Sequence, residues 1–168
     1  LQPDLAEALE HLAETLHRLQ RPADAEACYR RVLALRPRDA NVHNGLGVVL
    51  KTQGRLAEDE AAYRQALALD PHHANTLANL GVVLKRLDRL AESATCFVQA
   101  LALKPQAAGA HGNLGIVRME QGRMAEAEAL LRRALELDPT LADVRSNLLF
   151  VLNHDGDLGP AERLAKAR

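Results

Sequence analysis

Five prolines, Pro3, Pro37, Pro71, Pro105 and Pro139, stand 34 residues apart along a chain of 168. Gly47, Gly81 and Gly115 keep the same interval, as do Leu46, Leu80 and Leu114. A further column runs Tyr29, Tyr63, Phe97 and Leu131. A fixed period of this size, held through a whole chain, specifies an array of like supersecondary units, each burying its apolar face against the next.

The stretch "ALALDPHHANTLANLGVVLKRLDRLAE", Ala66 to Glu92, shows what one unit contains. From Ala74, the residues Leu77, Leu80, Gly81 and Leu84 recur at three and four positions, which is one face of a helix. "LDRL" turns the chain, and Ala91 to Leu103 forms a second helix with Ala94, Phe97, Ala100 and Leu101 inward. Pro105 stops it, because proline cannot extend a helix and turns Lys104 away from helical angles. Gly54 and Gly122 occupy the corresponding turn in neighbouring units, where a left-handed residue is convenient. Composition agrees: apolar residues make up 48% but aromatics only 2%, so Leu and Ala carry the core, a mixture suited to an all-α fold. Glycine inside a helix costs about 1 kcal/mol against alanine. Its repetition at 47, 81 and 115 therefore predicts a close approach by the second helix, with Ala66, Ala100 and Ala134 small for the same purpose.

Leu-Gly, then a small residue, an aromatic, Ala and Pro over 34 residues resembles the tetratricopeptide repeat. The resemblance covers essentially the whole chain as one array: repeats 6–39, 40–73, 74–107 and 108–141, a divergent partial repeat at 142–168, and a remnant of an earlier one at 1–5. It implies an α-solenoid of stacked antiparallel helix pairs, wound into a right-handed superhelix whose first helices line a concave groove. The usual Trp is absent, and Leu9, His43, Leu77, His111 and Arg145 stand in its column. Asp59 and Arg118 interrupt apolar columns, from which locally looser packing is expected.

Reactive chemistry finds little support. His72-His73 reads as a solvated loop pair without a third metal ligand at suitable spacing. His43 and His111 lie two repeats apart, roughly 20 Å for helices stacked at 8–10 Å, too far for one ion bound at about 2 Å. Cys28 and Cys96 have the same separation, which excludes a disulfide within the chain and leaves two small packers. Glu26/Arg30, Glu60/Arg64 and Glu128/Arg132 are spaced for solvated support of a helix. No catalytic site, cofactor or metal is expected. A formal net charge of −1 argues against nucleic acid or an anionic membrane as partner. No apolar run reaches the roughly 20 residues of a bilayer span, no signal peptide opens the chain, and cytoplasm is the expected compartment. The chain lacks an initiator Met and reads as a piece of something longer.

Function should then sit where the repeats differ. In the groove that the resemblance implies, the column before Leu-Gly reads His11, Gly45, Asn79, Asn113 and Asn147. Asn41 and Asn75 lie one turn earlier, with Asn44 beside them; Val48, Val82 and Ile116 lie one turn later, then Lys51 and Lys85. An amide offers donor and acceptor together, so a row of them suits the backbone of an extended peptide; bonding within the scaffold is the alternative. Family members that clamp acidic peptide termini use Lys, Arg and Asn here, and Val48, Val82 and Ile116 replace part of that pattern. The Asn row resembles the asparagine ladder of O-linked N-acetylglucosamine transferases. "SNLLFVLNHD" resembles the segment by which bacterial relatives of that enzyme enter their catalytic domain. The expectation is a non-enzymatic module that binds protein or peptide segments, as the substrate-recruiting arm of a larger glycosyltransferase. The alternative is a scaffold that self-associates through its ends into a homo-oligomer or assembles a complex.

Overall fold

The computed structural model describes residues 2–154. Among them are helices only: α1 (Gln2–Arg18), α2 (Pro22–Leu35), α3 (Ala40–Thr52), α4 (Leu56–Leu69), α5 (Ala74–Arg86), α6 (Leu90–Leu103), α7 (Ala108–Glu120), α8 (Met124–Leu137) and α9 (Ala142–His154). They fall into two compact units, α1–α5 and α6–α9, and the division lies within the third 34-residue repeat. In the first unit α1 packs on α2 and α3 on α4, while α1 touches α3 and α3 touches α5, so the first helices form one layer. The second unit packs α7 between α6, α8 and α9.

The boundaries follow from local sterics. Each even-numbered helix ends one residue before the residue that precedes proline, and the amides of Arg36, Asp70, Lys104 and Asp138 close the last turn on Val32, Ala66, Ala100 and Ala134. The turn inside each pair needs a left-handed residue: Gly54 and Gly122 adopt φ +74°, and Gln20 and Asp88 are held at +58° and +59° in the same column. Arg21, Arg55, Arg89 and Arg123 precede the second helices, and each donates to the carboxylate three residues on.

Packing explains the glycine column. A Cβ on Gly47 would lie 2.5 Å from Cε1 of Tyr63, and one on Gly115 would lie 2.8 Å from Cγ of Leu131. The side chain of the second helix fills the space that a first-helix side chain would need. Ala66 and Ala134 are fully buried beside it. Cys28 and Cys96 are buried and not joined in a disulfide.

Two expectations change. The Glu/Arg pairs are not simple surface support: the Glu26, Glu60 and Glu128 side chains are only 13%, 15% and 14% exposed. Glu26 bonds Arg30 and also reaches the next repeat, accepting from Arg55 at 2.7 Å and Gln53 at 2.8 Å. Burial works against its ionised form, yet these three donors hold its pKa below the usual value. Nor does the structure open where polar residues enter apolar columns. Arg118 is covered and pairs with Gln121 and Glu126. Asp59 is fully buried, and neither carboxylate oxygen has a hydrogen-bond partner. Burial pushes its pKa up to about 6, against offsets from the Glu60 amide and the charges of Arg86 and Lys51.

Gly47→Ala should lower the melting temperature, because overpacking costs about 1–3 kcal/mol; Gly109→Ala, whose Cβ meets nothing within 4 Å, should not. Asp59 predicts a pH-dependent gain. Its folded pKa lies above the unfolded one, so ionisation opposes folding, and stability falls as pH rises from about 4 through about 6. Asp59→Ala, the residue present at 25 and 127 in this column, should add about 1–3 kcal/mol at pH 7.5. Melts of both proteins should show that gain shrinking toward pH 4; an equal gain at both pH values would refute the buried charge.

Candidate functional site

A cleft of about 630 Å³ opens on the first-helix layer of the first unit. Glu10, Glu14, His17 and Arg18 of α1 form one wall. Asn41, Asn44, Gly45, Val48 and Val49 of α3 form the other, closed by His73 and Asn75 at the start of α5. Tyr29 of α2 lines it from below. A Cβ on Gly45 would fall 2.6 Å from Cζ of Tyr29 and 2.8 Å from its hydroxyl oxygen. Gly45 breaks the Asn column because the tyrosine ring occupies that place.

A polar chain crosses from α3 to α5 under this wall. Asn44 Oδ1 accepts from the Thr76 hydroxyl at 3.0 Å and from Asn79 Nδ2 at 3.2 Å. Thr76 is fully buried, and its one hydroxyl proton has a second acceptor in reach, His73 Nδ1 at 2.6 Å. That nitrogen also caps α5 by accepting from the Thr76 amide. His73 is thus half-buried and structural, which corrects the reading of His72-His73 as a solvated pair; only His72 is exposed. The reason is positional. An N-cap needs an acceptor, and His73 holds the place that Asp39 holds one repeat earlier, where Asp39 accepts from the amides of Asn41 and Val42. The column of the missing Trp also has a use: His43, His111 and Arg145 each donate to the carbonyl of the proline six residues before, Pro37, Pro105 and Pro139.

Electrostatics distinguish the α1 wall. Burial raises the pKa of Glu10, reinforced by Asp39 and Glu14 and opposed by Arg36 and His11. Tyr29 is pushed up to about 12 by burial, then by Glu14 and Glu10.

In the second unit a smaller cleft of about 340 Å³ lies between α7 and the start of α9, lined by Asn113, Ile116 and Thr140 to Val144. Asn113 Nδ2 donates to the Gly109 carbonyl of its own helix at 2.9 Å. The structure thus brings Asn41, Asn44, Asn75 and Val48 to one cleft and Asn113 and Ile116 to another. Asn79 is tied to Asn44. Lys51, Val82, Lys85 and Asn147 are half-buried and line neither cleft. Tyr29, Glu10 and Glu14 escaped the sequence reading. The period contained the signal for two of them: the columns of Asn44 and Val48, carried back one repeat, land on Glu10 and Glu14. Among the described residues no group of His, Cys, Asp and Glu could hold a metal ion, and no helix is long and apolar enough to cross a membrane.

The tetratricopeptide repeat model matches residues 11–74 and 79–142. The chain belongs to the tetratricopeptide repeat family. Solved tetratricopeptide-like structures resemble it over nearly its full length. A pilF structure from Pseudomonas aeruginosa is 24% identical, with 99% of this chain and 73% of that one covered and a TM-score of 0.86. PilW, described as a widely conserved type IV pilus biogenesis factor, is 27% identical over 96% and 72% with a TM-score of 0.83. YrrB, described as a tetratricopeptide protein with an unusual peptide-binding site, is 23% identical over 95% and 82% with a TM-score of 0.78. No curated protein matches the sequence. Tetratricopeptide repeats are in general modules for interaction with proteins or peptides, and the chain falls in that class.

Asn44 should matter for folding and Asn41 should not. Asn44→Ala removes two hydrogen bonds between α3 and α5, each worth roughly 0.5–1.5 kcal/mol. Thermal melts should show a clear loss for Asn44→Ala and none for the exposed Asn41→Ala; identical melting temperatures would remove Asn44 from the scaffold.

Proposed function

We propose that this chain, as consecutive repeats 6–39, 40–73, 74–107 and 108–141 of one array, holds an extended protein segment against its first helices. The observation that carries this reading is the cleft of the first unit, where Asn41, Asn44 and Asn75 stand beside Val48. Amides with an apolar neighbour suit a peptide backbone, since each amide meets both N–H and C=O groups while the valine packs on a side chain. Asn44 Oδ1 is committed to α5, which leaves its Nδ2 as the group offered to a ligand. Asn113 and Ile116 supply a like pair in the second unit, and Lys51, Asn79, Val82 and Lys85 of the first unit and Asn147 of the second are further candidates for contact.

Two finer uses of such a groove have their own support. A substrate-recruiting arm of a glycosyltransferase rests on the similarity of residues 146–155 to the repeat–catalytic junction of bacterial transferases, and a full-length sequence decides it. Self-association is supported by Leu5, Leu12 and Leu19, which recur every seven residues on and just after α1 and stay 46%, 47% and 64% exposed. Leucines left in water at this spacing along a helix form a face that another helix could cover.

The groove is tested with peptides selected from a random display library on the intact chain. Asn41→Ala with Asn75→Ala should weaken the selected peptides by about 1–3 kcal/mol in calorimetric titration, two bonds at roughly 0.5–1.5 each. The exposed Asn41→Ala alone should leave the melting temperature constant. Unchanged affinity in that double variant would remove the cleft as the binding site.

A further inference from the structure

The first repeat departs from the others where it meets the cleft. At the positions that are Asn44 and Val48 in the second repeat it carries Glu10 and Glu14. Successive residues four apart stand one above the other on a helix, so α1 presents two carboxylates in a row. Among the described residues neither has a hydrogen-bond or ion-pair partner. An acidic pair on a helix is by itself only a solvated face, but a separate feature points into the same space. Tyr29 is 94% buried, lines the cleft, and makes no hydrogen bond with its phenol oxygen. That oxygen keeps access to the cleft, so a ligand seated there can reach it. Gly45 keeps the ring in place, because any side chain there would strike the phenol end.

We infer that the cleft of the first unit seats a basic side chain of the bound segment, arginine or lysine, with its cation between Glu10 and Glu14 and one N–H donated to the Tyr29 oxygen. The chemistry is complementary at each point. A cation neutralises two carboxylates that otherwise repel each other. Its several N–H donors match three acceptors that have no donor of their own. Burial and the two neighbouring carboxylates already hold the phenol in its protonated, acceptor-capable form, with a pKa pushed up to about 12. Arg18, one turn beyond Glu14 on the same wall, bounds the site with opposite charge and sets the end at which a cation can sit. This assignment rests on the groove reading above and adds which side chain the groove prefers.

The experiment uses the isotopically labelled 168-residue chain, with acetyl-arginine methylamide as probe and acetyl-citrulline methylamide as its neutral isostere. The arginine probe should produce saturable amide shifts at Tyr29 and Gly45, with the citrulline probe weaker by about tenfold or more. Glu10→Gln with Glu14→Gln should bring arginine down to the citrulline level. Tyr29→Phe should give an intermediate loss without a change in melting temperature. Equal response to both probes, or shifts confined to other surfaces, would overturn the assignment. Display-selected peptides that perturb Asn41 and Asn75 with no preference for Arg or Lys would end this subsite and leave the groove standing. Peptides that perturb neither residue would end both.

Discussion

In the second and fourth repeats a second-helix side chain lies against the backbone of the first helix. Tyr63 lies on Gly47 and Leu131 on Gly115, and in both a single methyl group would collide. In these two pairs the separation of the helices is set by glycine and not by the average size of the apolar residues, whereas α1 carries Ala13 at this position. That close contact fixes which residues of the first helix face the second and which face away. Val42, Leu46, Val49 and Leu50 are turned inward on α3, and Asn41, Asn44 and Val48 are left for the other side. The cleft exists because the glycine contact determines the rotation of the helix that forms its wall.

Around this contact the polar groups repeat as faithfully as the apolar ones. Each second helix begins after an arginine that bonds a carboxylate three residues on, and prolines 37, 105 and 139 have their carbonyls taken by the side chain six residues later. The network of Arg30, Glu26, Arg55, Glu58 and Gln53 ties the first two repeats together. Exposed pairs of this kind contribute little singly, but Glu26 is covered and satisfied from two repeats, which fixes their register. Asp59 is the counterexample. It sits where other repeats place Ala or Ser, buried and unbonded, and the frame holds despite it.

The cleft shows how one frame yields a distinctive surface. Three substitutions at repeated positions, Glu10, Glu14 and Gly45, turn an amide and apolar groove into one with an acidic wall and a tyrosine within it. None of the three disturbs the inward face, since the core columns of α1, Leu9, Ala13 and Leu16, stay buried. The cleft wall and the core thus lie on different sides of the same helix.

The 34-residue period by itself determined the helices, their ends, the glycine contact and the family, because these depend on local sterics and on which face of a helix is apolar. Pro37, Pro71, Pro105 and Pro139 each end the helix before them, and a glycine column against a column of large side chains has one packing solution. Only the tertiary structure decided the polar details. Tyr29 belongs to a core column, yet it turns its hydroxyl to the cleft because Gly45, in the next repeat, leaves room for the ring. Asn44 is claimed by Thr76 and Asn79 from the following repeat, and Glu26 by Arg55 and Gln53. Each of these outcomes needs a rotamer and a partner some thirty residues away, and a period that repeats the positions does not say which neighbour a side chain will choose.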